Sequence, residues 1–197
     1  MSDKKQQEKK SLTNRSVFME KYIEREGVVC IGWQRYVDEL LGMGALIPFG
    51  YISGYKEAAD ELTDKAVECG LEDLYVFPIM FLYRHYLELL LKNMYFKYSK
   101  DSIEEKKVFV KKNGHKLSSY WTKCRKLLYR GGISLEDIDK IGDLVNDFER
   151  IDEHSFTFRY YLDKNLDMTL PKGLSVDLKK LKESIDKVDD LLYGTYG

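Results

Sequence analysis

The stretch Phe77-Pro-Ile-Met-Phe-Leu-Tyr-Arg-His-Tyr-Leu-Glu-Leu-Leu-Leu-Lys92 reads as a helix apolar almost all the way round, with Arg84, His85, Glu88 and Lys92 set into it. At about 100° per residue these four fall at about 0°, 100°, 40° and 80° from Arg84, so they share one arc of roughly 100°. Leu, Ile, Met, Phe and Tyr take the rest of the surface. A helix with so much apolar surface belongs in a core. Ionised groups in a core must find partners or shift their pKa values, so the polar arc is expected to face something specific.

A length of 197 residues suits one sizeable domain, and no Pro/Gly/Ser-rich linker divides the chain. With 33% charged and 44% hydrophobic residues, the balance is that of a globular protein rather than a disordered one. A formal net charge of -1 gives no global basic field of the kind that announces nucleic-acid binding. Neither an apolar run of membrane-spanning length nor a charged n-region followed by an apolar h-region stands in the sequence, so no membrane association is expected and a cytoplasmic location is. Cys30, Cys69 and Cys124 are widely spaced and in no CxxC pattern, which favours buried thiols over disulfides or a zinc ribbon. No cofactor is expected.

The Lys/Gln/Glu-rich segment 1–14 is expected to be a disordered tail, and 15–197 a single helical domain. Helical segments are expected over 16–23 and 28–41, and the breaker-rich Gly42–Gly50 stretch reads as a turn or a short irregular connection. Tyr51–Cys69 follows as a helix with Gly70 as its C′ residue. Pro78 suits the first turn of the apolar helix, which reaches about Tyr98. Ser99–Ser102 offers a turn and an N-cap, Ile103–Lys112 a charged, weakly amphipathic connector, and Asn113-Gly114 a turn. Leu117, Tyr120, Trp121, Cys124, Leu127 and Leu128 form the buried face of the next helix. Ser134 caps another with Ile138, Ile141, Leu144, Val145 and Phe148 as its stripe. The alternating aromatics of Ile151–Asp163 suggest an extended segment, and Ser175 is placed to cap a final helix carrying Leu178, Leu181, Ile185, Val188 and Leu192. The sum is an all-α, up-and-down bundle of five to seven helices.

The three histidines sit at suggestive places: His85 in the polar arc, His115 after the Asn113-Gly114 turn, and His154 past the helix that carries Phe148. Arg84 and Glu88 are an i,i+4 pair, for which an intrahelical salt bridge is the plain alternative to a chemical role. A second polar cluster runs from Arg150 through Asp152, His154 and Ser155 to Arg159. Loops held by a rigid bundle often carry function.

Phe81-Leu-Tyr-Arg-His-Tyr-Leu-Glu-Leu-Leu-Leu-Lys92, then Gly114-His-Lys-Leu117, then Asp152 with Ser155 and Phe158-Arg-Tyr160, resembles members of the HEPN superfamily of prokaryotic helical-bundle proteins. Gly54–Leu62 fits the helix that usually precedes this signature, and the resemblance spans about residues 50–165. It implies a cytoplasmic helical bundle, frequent homodimerisation and, in many members, metal-independent RNA cleavage tied to toxin–antitoxin or phage-defence systems. Other members are non-catalytic and bind nucleotides or partner proteins. Nuclease members usually carry Arg, four to six residues, then His; this chain keeps no such spacing, the nearest being adjacent Arg84-His85 and Arg150 with His154.

Three functions follow. A dimeric ribonuclease acting on RNA would use His85 or His115 as proton carriers, Arg84 and Arg159 as phosphate holders, and Glu88 or Asp152 to orient an imidazole. A non-catalytic interaction or nucleotide-sensing module would use Arg84, Glu88, Asp152 and Arg159 as a buried network that fixes the bundle; in either case an antitoxin or sensor protein could be a partner. A metal hydrolase would gather His85 and Glu88, at i,i+3, with His115 and Asp152 or His154. The locally basic run from Lys106 to Arg130 could guide an RNA backbone by charge, or be no more than a solvated helix face.

Overall fold

Residues 46–196 are described by a computed structural model, and within them lie six helices: α1 (Leu46–Cys69), α2 (Glu72–Tyr98), α3 (Ile103–Asn113), α4 (Leu117–Arg130), α5 (Leu135–Ile151) and α6 (Leu178–Tyr196). The expected tail over 1–14 and the expected helical segments over 16–23 and 28–41 lie outside the described residues. Among the described residues no strand forms, and the one β-bridge joins Leu162 to Met168. The all-helical bundle read from the sequence is therefore present.

α2 is the centre of this bundle, packing against α1, α4 and α6, while α4 also packs on α5 and α6 on α1. Ile79, Met80, Tyr83, Tyr86, Leu87, Leu90, Leu91, Met94 and Tyr95 are all buried, spread around the helix rather than confined to one stripe. Fully burying an aliphatic or aromatic side chain of this kind stabilises by about 1.5–3 kcal/mol. By length and composition α2 could also cross a membrane. Half of that apolar stretch is buried inside the bundle, while Leu74, Phe77 and Phe96 stay exposed.

Several boundaries differ from the sequence reading. α1 begins at Leu46, so the part of the Gly42–Gly50 stretch from Leu46 onward is helix rather than turn. Gly70 does close α1: its φ of 66° lets the Leu71 amide donate to the Ala66 carbonyl at 2.8 Å, a Schellman closure. α2 then starts at Glu72, with Glu72 and Asp73 in its first turn, and Pro78 stands inside the helix rather than at its start. The ring denies the Leu74 carbonyl its usual intrahelical donor, which is tolerable because Leu74 and Pro78 are on the exposed side.

The charged connector is itself α3, begun by a capping box in which Ser102 and Glu105 satisfy each other's backbone amides. α3 has no buried residue, although Phe109 packs between the rings of Tyr95 and Tyr120. α4 and α5 bury the stripes expected of them, with Leu127 and Leu144 half-buried at the margins.

The aromatic segment after α5 is not extended. The Asp152 carboxylate accepts the Phe156 and Thr157 amides at 2.6 and 3.0 Å, and the Arg159 and Tyr160 amides both donate to the Phe156 carbonyl, so the chain winds through turns. Only Phe158 of its four aromatics enters the core; Phe156, Tyr160 and Tyr161 are exposed. At the start of α6, Asp177 takes the capping place expected of Ser175, its side chain accepting the Lys180 amide.

Candidate functional site

Arg84 has no solvent exposure, and its guanidinium fork is filled by groups from three parts of the chain. Nη1 donates to Glu88 Oε2 at 3.0 Å, one turn along α2. Nη2 donates to the His115 carbonyl at 2.9 Å and to that of Glu153 at 3.4 Å. Nε donates to the Asp152 carbonyl at 2.8 Å and lies 3.4 Å from Asp152 Oδ2. That oxygen is the only buried side-chain polar atom without a hydrogen-bond partner among the described residues, so its compensation is the charge of Arg84 alone. The planar fork thus pins the turn before α4 and the loop after α5 to the middle of α2.

Glu88, 1% exposed, divides its two oxygens between inside and outside. Oε2 holds Arg84, while Oε1 accepts from Lys92 Nζ at 2.6 Å and contacts His115 Nδ1 at 2.7 Å. Burial pushes the Glu88 pKa up, but the Lys92 and His115 hydrogen bonds and charges outweigh it and hold the carboxyl below its ordinary 4.5. With Glu88 ionised, Nδ1 of His115 must be the donor, which leaves Nε2 of a neutral ring as a free lone pair. The His115 side chain is 58% exposed, so this oriented imidazole meets solvent, and Lys92, half-buried, lies across the Tyr120 ring beside it.

The six candidate residues therefore separate. Arg84, Glu88, His115 and Asp152 converge. His85, at the far end of the polar arc, makes no hydrogen bond in that network; it lies edge-on to Tyr55 at 4.4 Å and stacked with Phe81 at 5.8 Å. Burial lowers its pKa from the ordinary 6.5, with the charges of Glu88, Lys92, Arg84 and His115 as smaller influences. Arg159 does not join the network either: it is exposed, donates to the Ser155 carbonyl and lies over its neighbour Tyr160. His154 is exposed beside Glu153. The metal-hydrolase reading needs three ligands round one point, and no such trio of His, Cys, Asp or Glu forms among the described residues.

Four members of the basic run are held in ion pairs. Lys107 pairs with Glu104, Lys116 with Glu153, Lys123 with Asp101 and Arg125 with Asp139. Surface pairs of this kind add little stability, and each offsets one positive charge of the run.

A second polar cluster escaped the sequence reading, which counted Tyr83 and Tyr86 as apolar. The Tyr83 hydroxyl donates to Asp60, which also pairs with Lys56, and Lys56 reaches Asp186 on α6 at 2.6 Å. The Tyr86 hydroxyl donates to Asp189 at 2.7 Å. Burial raises the Asp189 pKa above its ordinary 3.8. These contacts tie α1 and α6 to α2, and a hydroxyl on each buried Tyr was the one signal that could have revealed them.

The shifts give a signed pH dependence. Because His85 is harder to protonate folded than unfolded, stability is lost as pH falls below about 6.5. Glu88, depressed in the fold, adds a further loss as pH falls from 4.5 through its folded value. Asp189 acts in the opposite sense, since its raised pKa favours the folded state on acidification. Thermal midpoints are therefore expected to drop between pH 7.5 and 5.5, and His85→Phe to flatten that drop; an equal slope in the variant would assign it elsewhere.

Compared with models of protein families, with curated proteins and with solved structures, the chain finds no match.

Proposed function

We propose that this chain is a non-catalytic, HEPN-like interaction module of a prokaryotic toxin–antitoxin or phage-defence system, partnered by an antitoxin or sensor protein or by a second copy of itself. The supporting observation is the sealing of Arg84, which is wholly buried with its fork taken by Glu88 and by backbone carbonyls. A guanidinium that stabilises a phosphorane must reach the phosphate, and this one reaches only its own chain. The absent Arg-to-His spacing agrees with that role.

One observation favours a second reading, a metal-independent endoribonuclease acting as a dimer. His115 is oriented by Glu88 and open to solvent, as a general base or acid requires, and Lys92 supplies a nearby cation. The two readings part on one assay. Purified protein incubated with transfer RNA and bulk RNA in EDTA is expected to leave both intact. Cleavage that persists in His85→Ala and vanishes in His115→Ala would overturn the non-catalytic reading in favour of the second.

A further inference from the structure

On another part of α2, a cleft of about 470 Å³ opens between its first turns and the 170–178 segment that leads into α6. The volume falls within the range of sites that enclose small molecules. Phe158 and Leu178 are the buried members of its lining, while Phe77 on α2 and Leu174 across from it are partly exposed. Apolar side chains from three separate segments border this space without closing it.

Glu72 and Asp73 border the same cleft from the first turn of α2. The positive end of the helix explains why acids are tolerated there. It does not neutralise them: neither has an ion-pair or hydrogen-bonding side-chain partner among the described residues, and no Lys or Arg lines the cleft. A space lined by both apolar and polar groups, with two unpaired carboxylates at its edge, disfavours anions and gives a neutral apolar molecule only the hydrophobic part of the available attraction.

We propose that this cleft binds a small organic cation with an apolar body, an alkyl- or arylammonium, whose hydrocarbon part lies between Phe77 and Leu174 and whose charged head meets Glu72 and Asp73. The volume of the open cleft suits a molecule of that size. The inference stands on the cleft alone and does not rest on the interaction-module reading.

Isothermal titration calorimetry of the full chain with n-octylammonium, n-octanol and n-octanoate, each below its aggregation concentration, tests it. One saturable site is expected for n-octylammonium, at least about tenfold tighter than for n-octanoate. The pair Glu72→Gln and Asp73→Asn is expected to weaken the ammonium about tenfold, weaken it less at high salt, and leave n-octanol unchanged. Leu174→Arg places a cation in the cleft and is expected to abolish ammonium binding while admitting n-octanoate. All three positions are exposed, and an unchanged thermal midpoint confirms that each variant is folded. No saturable ammonium binding, binding of n-octanoate equal to that of the ammonium in the parent, or ammonium affinity unaltered in any of these variants overturns the proposal. None of these outcomes touches the RNA assay, so the two readings fail separately.

Discussion

Replacing Arg84 by alanine is expected to lower the free energy of unfolding by about 3–5 kcal/mol, the usual cost of removing one member of a buried ion pair. The size comes from what is left behind rather than from the net worth of the pair. Glu88 would keep one buried oxygen with no cation, Asp152 Oδ2 would lose its only compensation, and the carbonyls of His115 and Asp152 would lose their donor. Domains of this size are stable by about 5–15 kcal/mol, so the loss takes a large share of the whole. Arg84→Lys keeps the charge but not the fork, and is expected to recover only part of it. Urea unfolding followed by circular dichroism measures both, and an alanine variant within about 1 kcal/mol of the parent would show that the fork does not hold the bundle together.

Asp152→Ala is expected to cost a comparable amount, about 3–5 kcal/mol, by leaving the Arg84 charge short of one counter-ion. The same change frees the Phe156 and Thr157 amides, which the carboxylate now accepts, so the loop after α5 should loosen. Asp152→Asn separates these effects, since its amide oxygen can still accept both amides while the charge is gone. Arg84 and Asp152 share a network, so the double variant should lose less than the sum of the singles, by about 0.5–3 kcal/mol. Strict additivity, measured in the same urea series, would mean that the two residues act apart.

What was legible in the sequence follows from periodicity. α4 and α5 have apolar residues at helical spacing and small polar residues or glycines at their ends, so both stripes and the Ser134 cap could be read directly. α2 was legible as a core helix, and the arc of Arg84, Glu88 and Lys92 as one polar face. The convergence of His115 and Asp152 on that face was suggested by residue type but depends on contacts across 31 and 68 positions, which no local pattern fixes. The aromatic loop misled because alternation of Phe156, Phe158 and Tyr160 is the mark of a strand, whereas here the Asp152 carboxylate folds the backbone back through its amides. Pro78 misled in a similar way: a proline fits a first turn best, yet an exposed helix face allows it further in.

The division of Glu88 between Arg84 and His115 joins two equilibria that would otherwise be separate. Anything that draws the exposed imidazole away from Glu88, whether an anion or a partner's side chain, removes a hydrogen-bond partner from one oxygen of a carboxylate whose other oxygen holds the buried fork. By reciprocity, whatever loosens the fork must change the affinity at the imidazole by the same factor. The surface of this bundle and the closure of its two loops are thermodynamically one system, with a single side chain as the linkage.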